Sequence, residues 1–387
     1  MLAGLKVLDF SRLLPGPYAT LVLADLGAQV DKVEDPLGGD YLRNMGPELA
    51  DVSAYFYALN RNKRSLTLDL KRPEDSAAVR RLVRHYDVVV ESFRPGVMEK
   101  LGLSYEVLSA ENPRLVYCAI SGFGQTGPER LRSGHDIGYM ARAGVLGYGG
   151  EEGGPPSLPG AQVADVGGGS LFALAGILAA LFERARTGRG RFLDVSMTEG
   201  ATAFFHMQLG ARLAAGAASV PLRRGAELLN GGAPCYGLYR ASDGRYLAVG
   251  ALEPKFFSAF CQAIGRPDLA ASGHDLGEAG ARAKVEIARE IASRTSAEWI
   301  QRFRSVDACV EPVLEGSEIE ADPQHRARRL FVRVSDPQRE IEVTHLRTPL
   351  APADLAVRPP PSLGQHSREI LAEGGFSEEE IGDLLRC

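Results

Sequence analysis

The sequence predicts an α/β protein built on a mostly parallel sheet, and three observations carry that reading. Short apolar runs recur at KVLDF (6–10), AQVDKVE (28–34), SLTLDL (65–70), DVVVES (87–92) and LVYCAIS (115–121). Segments with apolar residues at helical spacing fall between them, at about 17–26 and 72–86. Stretches rich in turn-forming residues follow several strand ends: SRLLPGP (11–17), EDPLGGD (34–40), SFRPG (92–96) and SGFGQTGP (121–128). Strands alternating with helices form βαβ units, which require parallel pairing. Ligands of such sheets bind beyond the carboxyl ends of the strands, so those four stretches are where function is expected.

Beyond residue 125 the pattern loosens. Residues 144–169 are Gly- and Pro-rich and read as a long irregular loop, a kind that is usually functional or mobile. A helix is expected from about Gly169 to Arg186, ended by Gly188, followed by a strand at RFLDVSM (191–197). Its apolar run from Leu171 to Phe182 is too short to span a bilayer and reads as buried. Residues 210–232 look like a connector. A smaller region follows, with strands at CYGLYRA and RYLAVGA and helices at about 254–264 and 281–304. Short strands return from about 330, and a last helix is expected at about 364–373.

The 387 residues are 45% hydrophobic and 24% charged, which suits a globular chain large enough to bury a core without disulfides or structural metal. Lys and Arg total 44 against 49 Asp and Glu, a net charge of −5. That balance argues against a nucleic-acid partner, so a basic site for an anionic ligand must be local. The five cysteines (Cys118, Cys235, Cys261, Cys309 and Cys387) are scattered, with no CxxC pair. They predict no disulfide framework and fit a reducing compartment. The N-terminus lacks signal-peptide anatomy and no membrane partner is expected, so a cytoplasmic location is expected.

Gly122–Gly127 matches GxGxxG after a strand, but a dinucleotide fingerprint must open a helix. Pro128, Glu129 and Arg130 follow without apolar period, so a tight glycine loop is the better reading. Walker A, HExxH, GxSxG and EF-hand patterns do not occur, and the histidines lack metal-ligand spacing. Basic groups gather near strand ends: Arg61, Lys63 and Arg64 before the third strand, Phe93-Arg94 after the fourth, and Lys100 a turn further on. Such groups bind phosphates, and an aromatic among them stacks on a purine; a solvated basic rim is the plain alternative. His135 beside Asp136 and Asp165 before Gly167-Gly168-Gly169 are the catalytic candidates. The plain reading of Asp165 is a helix N-cap. The functional one is an acid at a helix start, with glycines that admit a ligand.

Together these blocks resemble the family III CoA-transferase and racemase superfamily (CaiB/BaiF-like) over nearly the whole chain. The resemblance runs through LKVLDFSRLLPGPYAT, LNRNKRSLTLDLK, ESFRPGVMEKLGL, NPRLVYCAISGFGQTGP, RARTGRGRFLDVSM and PSLGQHSREIL. It implies a Rossmann-like large domain completed by the C-terminal segment, a smaller α+β domain, and an interlocked homodimer. The corresponding boundaries are 1–200 for the large domain, 201–225 for a linker, 226–325 for the small domain and 326–387 for the return. It further implies CoA contacts from Leu59, Arg61, Lys63, Phe93, Arg94, Lys100, Asp136 and Tyr139. Asp35 departs from the family, whose members often carry an Arg there to hold the nucleotide.

Two branches share Asp165. Transferases use it as a nucleophile that moves CoA between carboxylic acids; alpha-methylacyl-CoA racemases pair it with a His. SGHDIGYMARAGVL, which contains His135, and LNGGAPCYGLYRASDGRYLAVGALEP resemble the racemase branch, where Glu253 would orient His135. Such a reaction moves the weakly acidic α-proton of a thioester between two groups on opposite faces of one carbon. An imidazole suits the task because its ordinary pKa is about 6.5. Backbone N–H groups near Gly167–Gly169 are expected to hold the enolate oxygen. No metal or redox cofactor is expected, CoA being part of the substrate. The loop 144–169 and segment 201–235 are expected to shape the acyl pocket.

Overall fold

Six strands form one parallel sheet. In the computed structural model, which describes residues 1–214 and 223–386, the first strands are β1 (Lys6–Asp9) and β2 (Gln29–Glu34). A two-rung hairpin follows, β3 (Glu48–Leu49) with β4 (Val52–Ser53). Then come β5 (Arg64–Thr67), β6 (Val88–Glu91), β7 (Val116–Ser121) and β8 (Arg191–Ser196). The large-sheet order is β5-β2-β1-β6-β7-β8, and every neighbouring pair is parallel. The central strands are buried on both faces, which explains runs such as VVVE and VYCAIS without polar alternation. From β1 the chain fills one side through β2 and β5, then returns to fill the other. The resulting switch point between β1 and β6 leaves a crevice outside their carboxyl ends.

The helices between strands are set by local chemistry. Pro15–Asp25 opens with Pro at its first position, where a missing N–H costs nothing. Pro73–Leu82 carries Glu74 and Asp75 in its first turn and Arg80 and Arg81 in its last, each sign matched to the helix dipole. The C-terminal chain closes the β5 edge. Helix Ser367–Glu373 buries Ile370 and Leu371 in the same core as Leu8, Leu66 and Val89. Arg64 ties the edge to it, pairing with Asp31 at 2.7 Å and with Glu369 and Glu373 at 2.8 Å.

Two compact units result. The first holds Met1–Ala143, Ala161–Phe204 and Asp322–Cys387. It includes the antiparallel hairpin β12 (Phe331–Asp336) and β13 (Ile341–Leu346). The second holds Gly144–Gly160 and Phe205–Ala321. There β9 (Tyr236–Arg240), β10 (Tyr246–Gly250) and β11 (Val310–Pro312) form an antiparallel sheet in the order β11-β10-β9. Its core is aromatic, with stacked rings running Phe257, Phe260, Phe303 and Trp299.

Several expectations change. The helix read at 281–304 is two, Glu278–Ile291 and Ser296–Phe303; a capping box between Thr295 and Glu298 starts the second afresh. Helix Ser367–Glu373 is not the last, because Ser377 and Glu380 cap another at Glu378–Leu384. The segment 144–169 contains helix Val145–Tyr148 and the start of a wide, π-type helical stretch at Val163–Leu171. The region read as a connector, 210–232, begins with the end of helix His206–Ala214; positions 215–222 lie outside the described residues, as does Cys387.

The long helix also differs from its reading. Val163–Thr187 runs for 25 residues, long and apolar enough by those measures to cross a membrane. Ala173, Leu174, Ile177 and Ala180 are buried, but Leu171, Phe172 and Phe182 are exposed, Phe182 by 71%. One face packs within the unit and the opposite face is bare.

The three glycines at 167–169 serve packing rather than ligand access. A methyl on Gly168 would lie 2.6 Å from Met197 O and 2.7 Å from Ala201 N, and one on Gly200 would overlap the Gly168 carbonyl. The π-type turn and helix Met197–Ala203 therefore touch backbone to backbone. No side chain there can yield, so Gly200→Ala is expected to destabilise the protein by about 2 kcal/mol or more, read as a lowered urea midpoint.

Candidate active site

A cavity of about 1030 Å³ lies at the switch point. Its wall takes Arg12 to Pro15 from the end of β1, Ser92 to Pro95 from the end of β6, and Ser121 and Gly122 from the end of β7. His135, Tyr139 and Asp165 line the same cavity, as do Leu59, Phe93 and Arg94. The expected catalytic pair thus shares one chamber with four of the expected CoA contacts, Leu59, Phe93, Arg94 and Tyr139.

His135 is exposed and sits just before helix Asp136–Ala143; its carbonyl accepts from Gly138 N–H (2.8 Å) and Tyr139 N–H (3.2 Å). Tyr139 locks the loop that carries it. The Tyr139 hydroxyl donates to Gly134 O at 2.6 Å, and its ring fills the space where Gly122 and Gly134 would carry a side chain. Phe123 meets that ring edge-on, with centroids 5.3 Å apart. The glycines of the GxGxxG match therefore serve a packed aromatic and two turns, with φ of +84° at Gly124 and +83° at Gly127.

Asp165 lies in the first turn of the π-type stretch, not at its cap, which is Gln162. Its N–H donates to Asp136 Oδ1 at 2.9 Å, joining the two candidate segments directly. Burial pushes the Asp165 carboxyl up to about 7, and the nearby negative charge of Asp136 adds to the rise. Near neutral pH this carboxyl is therefore divided between its acid and its base form. The Tyr139 hydroxyl is pushed up to about 12, by burial first and then by Asp165, so it stays a neutral phenol. Asp136 is buried and acts as the acceptor for Asp165 rather than as cavity wall.

Two expected CoA contacts are placed differently. Arg61 is 1% exposed, its guanidinium 2.6 Å from Asp25. Lys63 is 3% exposed and donates to Thr20 Oγ1 (2.8 Å), Pro17 O (3.0 Å) and Asn60 Oδ1 (3.1 Å). Both are internal ties beneath the loops, because an unpaired charge buried there would be far more costly than a paired one. Lys100 lies on a separate cavity of about 490 Å³ with Lys71 and Arg80. Asp35 lines a third, of about 310 Å³, and its carboxylate accepts Leu37 N–H at 2.9 Å, committing it to a local turn. Glu253 is exposed at the start of helix Pro254–Ala263, in the second unit. Among the described residues, no group of three or more His, Cys, Asp or Glu is arranged to hold a metal ion.

The sequence reading missed Arg12, Arg130 and Arg132, which bring positive charge to the main cavity, and Tyr41, Met45 and Tyr55, which bring apolar surface. Arg12 lies 5.2 Å from the ring centroids of both Tyr41 and Phe93. Its place after β1 was a usable signal. The Tyr41–Tyr55 wall was not, since it depends on the β3–β4 hairpin and on Arg43 gripping Glu34 at 2.7 Å.

The raised Asp165 pKa has a sign that can be checked. The folded carboxyl holds its proton up to about 7, whereas an unfolded one releases it near 3.8. Asp165 therefore costs stability increasingly from about pH 4 to 7, and fully above that. Asp165→Asn is expected to melt higher than the parent at pH 8, with the gap closing toward pH 4, in paired thermal scans.

The family model described as CoA-transferase family III matches residues 2–367. The chain is 41% identical over 386 residues to alpha-methylacyl-CoA racemase of Homo sapiens, covering 99% of this chain and 96% of that protein. It is 36% identical over 336 residues to acetyl-CoA:oxalate CoA-transferase of Acetobacter aceti, covering 85% of each. A crystal structure of a CaiB/BaiF family protein from Brucella suis superposes with a TM-score of 0.80 at 34% identity, covering 96% of this chain and 99% of that one. With its parallel sheet, its switch-point cavity and these matches along its length, the chain belongs to CoA-transferase family III.

Proposed function

We propose that this protein epimerises the α-carbon of 2-methyl-branched acyl-CoA thioesters by 1,1-proton transfer, with His135 and Asp165 as the paired acid and base. The observation that carries the reading is that both groups open into one cavity and the carboxyl is poised at about 7. A general acid–base works best when its pKa lies near the operating pH. In one direction ionised Asp165 takes the α-proton and protonated His135 returns one to the opposite face; the reverse direction exchanges the roles. The start of helix Asp136–Ala143, next to His135, offers its positive dipole end to the enolate oxygen, the Gly138 and Tyr139 N–H groups being already given to the His135 carbonyl. It is preferred to the Gly167–Gly169 amides, which lie inside the π-type helical stretch where that stretch packs on helix Met197–Ala203.

The three cavities are neighbours, each sharing lining residues with the next. The cavity that Asp35 lines shares Arg12, Tyr41 and Phe93 with the first, and the cavity that Lys100 lines shares Leu70, Lys71 and Leu101 with that of Asp35. We assign the thioester to the first and the phosphates to Lys71, Arg80 and Lys100, which carry no acid among their cavity's lining residues.

The transferase reading has support in the relatives named CoA-transferase. It requires Asp165 to be an ionised nucleophile. A carboxyl that is half neutral near pH 7 suits proton exchange better.

Incubating one enantiomer of 2-methyldecanoyl-CoA in deuterated water tests the reading. Deuterium is expected at the α-carbon, with loss of optical purity, in the absence of any free acid. His135→Ala and Asp165→Ala are each expected to cut that rate by about a hundredfold or more. Exchange that appears only when an acceptor acid is added, or that survives His135→Ala, contradicts it.

We also propose that two copies associate through the bare face of helix Phe172–Thr187, where Leu171, Phe172 and Phe182 are uncovered. Sedimentation equilibrium is expected to give the mass of a dimer. Phe182→Glu is expected to weaken that dimer by about tenfold or more. A monomer at micromolar concentration contradicts the assignment.

A further inference from the structure

The segment joining β1 to its helix, Ser11–Leu14, is held in an unusual way. Leu13 has φ +64°, in the left-handed region that is costly for any side chain with a Cβ. Glycine would take that conformation freely, yet the chain places a leucine there, whose side chain lines the main cavity. The strain is answered by separate side chains. Leu13 N–H donates to Asp40 Oδ1 at 3.0 Å, Arg12 N–H to Ser92 Oγ at 3.0 Å, and Ser11 N–H to Asp9 Oδ1 at 2.9 Å. The Ser11 carbonyl accepts from Lys32 Nζ at 2.6 Å.

Asp40 and Lys32 are both essentially fully buried, and Lys32 Nζ lies 2.9 Å from Asp40 Oδ2. Asp40 Oδ1 also accepts Leu42 N–H at 3.1 Å, at the start of the turn Tyr41–Asn44. Onward from Leu13 the connection reaches the catalytic carboxyl's own turn. The Pro15 carbonyl accepts from Ser170 Oγ at 2.6 Å, and the same hydroxyl lies 3.1 Å from the Asp165 carbonyl oxygen.

We propose that Asp40, held by Lys32, is a positioning residue for Asp165: it clamps Leu13 in the left-handed conformation, which sets Pro15 and, through Ser170, the turn that carries Asp165. Asp40 touches no reacting atom. Its part is to keep a strained backbone from relaxing and taking the cavity wall with it. The inference rests on the proposed acid–base role of Asp165.

A four-protein cycle tests it: parent, Asp40→Ala, Leu13→Gly, and the double variant, each assayed for α-deuteration of 2-methyldecanoyl-CoA and for affinity toward coenzyme A. Asp40→Ala in the parent is expected to lower kcat about tenfold, the cost of an unsupported left-handed residue. Coenzyme A affinity is expected to stay within about twofold, because the phosphate cations are elsewhere. With glycine at 13, which needs no clamp, the Asp40 substitution is expected to change kcat by less than about twofold. Equal losses in both backgrounds, or a loss confined to KM, overturn the proposal. Should Asp40→Ala not fold, Leu13→Ile carries the test. A β-branched residue resists this conformation, so kcat is expected to fall at unchanged coenzyme A affinity, and an unchanged kcat overturns it. Amide hydrogen exchange separates this proposal from a failure of the reaction itself. Even with no α-deuteration in the parent, the backbone amide at position 13 is expected to exchange slowly there and fast in Asp40→Ala or Leu13→Ile. Slow exchange in the variant overturns the clamp.

Discussion

The constraint on which the site depends is the partial withdrawal of one carboxyl group from water. Asp165 sits where burial and a neighbouring carboxylate both oppose its ionisation. Holding it there takes a backbone that does not yield. The Gly168–Gly200 crossing supplies it, because two main chains in contact leave no side chain to shift. Asp136 adds the hydrogen bond that ties this turn to the segment bearing His135. Packing, electrostatics and proposed chemistry are thus links of one chain: small residues permit close contact, close contact buries the acid, and burial moves its pKa into the working range.

Much of the first unit was legible in the sequence. Uninterrupted apolar runs such as VVVE have one stable home, the middle of a parallel sheet, and they were found there. The rule that ligands gather beyond strand ends pointed to the segments after β1, β6 and β7, which line the cavity. Three features misled. Charged residues before β5 read as phosphate-binding groups or a solvated rim, because sequence cannot show that Arg61 and Lys63 find buried partners as distant as Asp25 and Thr20. The triple glycine read as ligand access, because a glycine placed for a helix crossing looks the same as one placed for a ligand. The run Leu171–Phe182 read as buried, because apolar composition does not say whether a helix face is covered by its own chain. The strained Leu13 carried no signal at all, since leucine is among the last residues expected at positive φ.

Family III joins proteins named racemases with proteins named CoA-transferases, and this chain is similar to both. The physical distinction lies in what Asp165 must be. A nucleophile is favoured by a cation that keeps it charged; a proton shuttle is favoured by a setting that lets it hold or release a proton. Here the neighbour is Asp136, an acid, and desolvation dominates. The cations of the main cavity, Arg94 among them, share its lining with apolar groups such as Leu13, Leu14 and Ile120, a mixture suited to a thioester with a branched alkyl substituent.

The most direct test is a crystal structure with an unreactive thioether analogue of a 2-methylacyl-CoA bound. The account predicts the α-carbon between His135 and Asp165, a ring nitrogen on one face and a carboxyl oxygen on the other, each within about 3.5 Å. An α-carbon near Asp165 alone, or both groups on the same face, would contradict stereoinversion and leave the carboxyl as a nucleophile.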